Sequence, residues 1–173
     1  MGLNGFFIIA RAPAPLYTLS SIQRMSTESG EDYVYPASWM GLRADGEWQQ
    51  LQTSQGHSLE LRDLVAETGA AAMSIQVLES AFGCIEARTL AGAEWWGYLN
   101  PETAIAAYEM PEPPSLDEVA KNAVAWAAET GRTATLGDVE VAFREPVGPF
   151  GEGVDELTRM LGFRFGRQLP MHQ

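Results

Sequence analysis

The chain has 173 residues and a net charge of −12, with 46% apolar and 20% charged residues. That balance suits a folded domain rather than a disordered chain. The charge speaks against roles that need clustered Lys and Arg, so neither a nucleic acid nor an anionic membrane is expected as partner. Ten of the eleven basic residues are arginines, Lys121 being the exception, a bias that suits GC-rich bacterial coding.

Residues 5–11, GFFIIAR, form a short apolar run rich in β-branched and aromatic residues and are expected to be a buried strand. The run is too short for a signal peptide, and Phe6 stands where a myristoylation site requires Ser or Thr. With no segment approaching the roughly 20 apolar residues of a membrane span, a cytoplasmic protein is expected. Leu16, Leu19, Ile22 and Met25 then recur at helical spacing. Residues 26–32 read as a loop.

Asp45-Gly46 lies between two runs holding Trp39, Leu42, Trp48 and Leu51, the pattern of a tight hairpin. Leu61, Leu64, Val65 and Thr68 share a helical face that Gly69 would end. Residues 72–80 alternate as a strand, and 84–90 and 94–99 follow as two more, giving an antiparallel meander. Asn100 and Pro101 mark a helix start by capping and N1 preference. Residues 109–114, EMPEPP, form a stiff linker. Ser115 and Glu118 make a capping box that opens a helix over about 116–130. Residues 136–145 fit either periodicity and are read as helix because a helical pattern follows at 153–162.

The expected fold is α+β: an antiparallel sheet, made of a hairpin plus a three-strand meander, with helices concentrated toward the C-terminus. Residues 1–110 would hold the sheet with short helices, and 111–173 a helical part packed on the same domain.

Chemistry-bearing patterns are sparse. Cys84 is the sole cysteine, so no intrachain disulfide or zinc cluster is expected. A Cys84–His57 pair could serve as nucleophile and base, but a small core cysteine is the simpler reading. The second histidine, His172, stands near the end of the chain. Glu79 and Glu86 could face each other across a hairpin, with Arg88 neutralising one of them; a surface ion pair is the ordinary form of such a group. The glycines of 148–153 match no phosphate-loop order, and Glu152 would repel a phosphate there. No catalytic residue, cofactor or metal site is expected. The C-terminal Arg164 and Arg167 are read as pairing with nearby acids.

The richest stretch begins at Glu94. Trp95 and Trp96 are adjacent, so in a strand they point to opposite faces, and Trp96 shares its face with Tyr98. From Thr89 to Val119 there is no basic residue, while Glu94, Glu102, Glu109, Glu112, Asp117 and Glu118 accumulate beside Tyr108. Acids interleaved with aromatics suit capture of a basic protein, the charges steering and the rings anchoring. Glu94, Trp95, Trp96, Tyr98, Glu102, Tyr108 and Glu109 are therefore the expected partner-binding residues. In general type, as a small acidic α+β chain without a catalytic motif, it is similar to the toxin-neutralising immunity proteins of bacteria. That likeness covers composition alone and implies a non-enzymatic inhibitor of a basic partner. Two other readings compete: a small-molecule binder or enzyme with a pocket between sheet and helices lined by Trp39, Trp48 or Trp95, and a homodimer or scaffold subunit whose spare Trp face is a self-interface.

Overall fold

The computed structural model describes residues 2–26, 39–54 and 59–171. The loop expected at 26–32 falls largely outside these, as do His57 and His172 and any pairing with Cys84 that His57 would make.

Seven strands form one antiparallel sheet: β1 (Gly5–Arg11), β2 (Trp39–Asp45), β3 (Trp48–Thr53), β4 (Ala72–Leu78), β5 (Phe82–Arg88), β6 (Glu94–Leu99) and β7 (Arg167–Gln168). Their order across the sheet is β6-β5-β4-β1-β3-β2-β7. The α+β class and the late concentration of helices are as the sequence indicates. The hairpin and the meander belong to one sheet, as expected. β1 lies between them, pairing with β3 through Ile8↔Leu51 and with β4 through Ile8↔Ser74. A strand flanked on both sides and covered on both faces must be apolar throughout, which is why FFIIA is unbroken.

The helices are α1 (Ser20–Gln23), α2 (Leu61–Thr68), α3 (Pro101–Tyr108), α4 (Leu116–Glu129), α5 (Leu136–Arg144) and α6 (Glu152–Met160). α4, α5 and α6 cover one face, here the inner face, where Phe7, Ile9, Met73, Ile75, Val77, Ile85 and Leu99 meet Val119, Ala123, Trp126, Phe143 and Leu157. Residues 116–163 thus share a core with the sheet. The ambiguous segment 136–145 is helical because Val139, Ala142 and Phe143 are then buried on one side. On the outer face the 16–26 segment lies over β1 and β3 and α2 over β1, β4 and β5, through Leu16, Ile22, Leu61, Leu64 and Val65. α3 covers a small separate cluster of Phe82, Tyr98 and Ala104.

Local signals hold at most element ends. Gly46 and Gly69 take φ of 63° and 67°, the left-handed conformation that a tight turn and a helix C-terminus require. Ser115 Oγ accepts from Glu118 N at 3.2 Å. Asn100 departs from expectation: it adopts φ 60° and makes no side-chain cap. Its amide instead donates to Ala81 O at 2.8 Å and Thr103 Oγ1 at 2.9 Å, and its N–H donates to Phe143 O at 2.7 Å, so it ties the start of α3 to the β4–β5 turn and to α5. A short polar side chain tolerates this left-handed backbone, and here tertiary bonds outweigh local capping. No described helix is long and apolar enough to cross a membrane.

Candidate functional site

Alternation along β6 separates the two tryptophans. Trp95 points to the inner face, where it is 9% exposed within the main core. Trp96 points to the outer face and is 39% exposed. Tyr98 shares that face but is 3% exposed, its hydroxyl donating to Pro111 O at 2.8 Å.

The outer-face rings form a row. Trp96 meets Tyr98 edge-on at 5.5 Å, Tyr98 meets Phe82 edge-on at 6.1 Å, and Phe82 meets Tyr108 at 4.9 Å. The middle of the row is buried and its two ends, Trp96 and Tyr108, are exposed. Edge-to-face pairs of this spacing hold each other's orientation, so Trp96 is presented on a fixed base. Tyr108 donates its hydroxyl to Glu79 Oε2 at 2.8 Å, and that bond leads the causes that push the tyrosine's pKa up.

α3 covers only the Phe82 end of this surface. At the other end a cleft of about 480 Å³ is lined by Leu59, Glu60 and Leu61 on one side and by Glu86, Arg88, Glu94 and Trp96 on the other. Register explains the cluster: Glu86 lies opposite Trp96, and Arg88 opposite Glu94, across the β5–β6 ladder. Arg88 is taken up by an ion pair with Glu94. Among the described residues Glu60 and Glu86 have no ion-pair partner, so the cleft retains a net negative charge beside an exposed indole. Cys84 lies on the same face of β5, half-buried. Burial pushes its thiol pKa up and the Glu86 carboxylate adds to this, which disfavours a nucleophilic thiolate.

The expected partner-binding residues therefore divide. Glu94 and Trp96 line the cleft, Tyr108 stands at the far end of the ring row, Glu102 and Glu109 are exposed on and after α3, and Trp95 and Tyr98 are buried. Glu79 and Glu86 do not face each other: Glu79 sits in the β4–β5 turn at φ 53°, while Glu86 lies opposite Ser74 and Trp96. Arg88 neutralises Glu94 rather than either of them. Missed from the sequence were Glu60 and Glu86 as cleft walls, because residues 59–61 reach β5 only through the tertiary fold.

Of the tryptophans expected to line a pocket between sheet and helices, Trp95 borders the outer-face cleft, Trp39 is half-buried, and Trp48 is packed in the core. Trp48 packs edge-on against Trp126 at 6.3 Å and Phe163 at 5.5 Å, and Arg132 lies 4.1 Å over the Phe163 ring. Arg164 donates to the carbonyls of Arg159 and Phe163, and its backbone N–H donates to Asp45 Oδ2 at 2.9 Å. Among the described residues no three His, Cys, Asp or Glu side chains gather as metal ligands would. No protein family, no characterised protein and no solved structure matches the chain.

Proposed function

We propose that the protein is a non-enzymatic binding module that captures a basic protein partner at the Trp96 cleft, in the manner of an inhibitor or immunity-type protein. The observation that carries this reading is the juxtaposition of an exposed, ring-braced Trp96 with Glu86 and Glu60, carboxylates that no described cation neutralises. An arginine or lysine entering the cleft would meet a carboxylate on one side and an indole face on the other, an ion pair supplemented by a cation–π contact. Glu102 and Glu109, exposed farther along the same acidic stretch, would act through the long-range field and speed encounter.

The test is capture from a lysate with tagged wild-type protein and with Trp96→Ala and Glu86→Arg, at low and high salt. The expected result is a basic protein retained at low salt, shed at high salt, and lost with both variants while their circular dichroism is unchanged. Retention of the same proteins by wild type and both variants would overturn the reading.

A further inference from the structure

Strand β6 ends the sheet on one side, and among the described strands it pairs with β5 alone. The phase of that ladder follows from the turn between the two strands, where Thr89 N donates to Ala93 O at 2.9 Å. Bonded and non-bonded pairs alternate in an antiparallel ladder, so Ala87–Trp95 and Ile85–Gly97 are the bonded pairs. The backbone groups of Glu94, Trp96 and Tyr98 therefore point away from β5. Asn100, next in that phase, agrees: its N–H turns away from β5 to Phe143 O.

The edge is closed at one end and open at the other. Tyr98 is 3% exposed, which leaves no room for a further strand beside it. Glu94 and Trp96 are exposed, and among the described residues no group bonds to their outward N–H or C=O. Proteins guard such edges with proline, lysine or a bulge. β6, EWWGYL, has none of these in its sequence or its register. The opposite edge of the sheet is blunted by the two-residue β7.

Two features flank the open backbone. Ser74, Glu86 and Trp96 stand in one row across β4, β5 and β6. A residue added beside Trp96 would extend that row, two strand spacings or about 9.6 Å from Glu86. A long basic side chain placed there lies across the indole with its charged end at the Glu86 carboxylate. Farther along, an apolar recess of about 210 Å³ is lined by Tyr98, by Pro101 and Ile105 of α3, and by Pro113, Leu116 and Val119. Tyr98 is two residues from Trp96, the interval at which side chains recur on one face of a strand.

Charge selects the occupant. A second copy would bring together two chains of net charge −12 through stretches that hold no basic residue from Thr89 to Val119. Glu60 and Glu86 in the cleft wall and Glu112 in the recess wall call instead for a basic segment.

We propose that the basic partner is taken as an extended segment, which adds to the β6 edge beside Glu94 and Trp96. An arginine or lysine of the segment lies over Trp96 toward Glu86, and an aliphatic side chain two residues away fills the recess at Tyr98. Main-chain bonds then supply affinity, and the two side chains supply specificity. This rests on the reading of the Trp96 cleft as a site for a basic protein and adds the form in which that partner is held.

The probe is the peptide acetyl-Val-Thr-Arg-Thr-Val-amide, which sets its arginine at Trp96 and a valine toward Tyr98 whichever way it runs. Titrated into ¹⁵N-labelled protein, it should give saturable shifts at the Glu94 and Trp96 amides, with a Kd of about 1 mM or tighter. Alternate amides of a strand face its neighbour, so N-methylating the arginine and N-methylating both threonines should differ in effect by at least about fivefold. Ile105→Asn, a neutral change at an exposed position in the recess wall, should weaken binding by about three- to tenfold. The proposal is overturned if the peptide leaves Glu94 and Trp96 unmoved, if the two methylated peptides bind alike, or if Ile105→Asn binds as wild type does. Lysate capture that still depends on Trp96 and Glu86 would then keep the protein-binding reading and remove only the added strand. Capture independent of both removes that reading as well.

Discussion

Gly97 and Val119 approach so closely that a methyl group would not fit between them: a Cβ on Gly97 would lie 2.7 Å from Val119 Cγ1. Strand β6 and helix α4 are in contact through this missing side chain. The glycine that follows the two tryptophans is thus what lets α4 settle on the sheet and bury Trp95. Gly97→Ala should destabilise the fold by about 1–3 kcal/mol, the usual cost of overpacking a tight core. Adding Val119→Ala should recover part of that loss instead of deepening it, because the two changes share one space. Chemical denaturation of the two single variants and the double variant measures the coupling.

The adjacent tryptophans should separate stability from binding. Trp95→Ala removes a buried ring and is expected to cost about 3–5 kcal/mol. Trp96→Ala should leave the unfolding midpoint nearly unchanged while weakening partner binding by about 2 kcal/mol or more, roughly thirtyfold. Melting curves and a binding isotherm on both variants check the separation.

Asp45 is a junction between distant parts of the chain. Its Oδ2 accepts from Arg132 Nη2 at 2.8 Å and from Arg164 N at 2.9 Å. Burial alone would raise its pKa, but the bonds from Arg132 and Arg164 and their positive charges outweigh that and hold it below the ordinary 3.8. A carboxyl whose pKa is lower in the folded state contributes stability above the unfolded value and loses it as pH falls toward the folded one. Asp45→Asn should therefore cost about 1–3 kcal/mol at neutral pH. The gap from wild type should close below about pH 4. Unfolding curves of both proteins across that range check it. Glu67, held low in the same direction by Ser20 and Ser21, is present in both proteins and drops out of the difference.

Cys84 reports on the outer face of β5 beside the cleft, where it lies opposite Tyr98. With its thiol pKa raised by burial and by Glu86, it should react with a disulfide reagent at neutral pH at least about tenfold more slowly in the folded than in the unfolded protein. Glu86→Gln should speed the folded reaction. Absorbance kinetics with and without denaturant measure both.

Much of the architecture was legible because the signals were local. Asp45-Gly46, Gly69 and Ser115-x-x-Glu118 each act within one turn, and each sits where the sequence places it. The position of β1 was not legible, because its partners lie far along the chain, from Arg11↔Trp48 to Gly5↔Val77, and any apolar run satisfies the same pattern. β7 is two residues long, below what alternation can show. At the site, the opposite facing of Trp95 and Trp96 followed from strand geometry alone. Which of them would be covered depended on where α4 and α3 came to rest.

The place of β1 also has a consequence for how the molecule is made. β1 is the keystone of the sheet, yet both neighbours it must join, β3 and β4, follow it in the chain, and β4 ends only at Leu78. Until then FFIIA is an apolar ribbon with two open edges, the kind of segment that chaperones hold and that aggregates when left waiting. Joining of the two halves of this sheet is therefore timed by synthesis, with β1 waiting for β4.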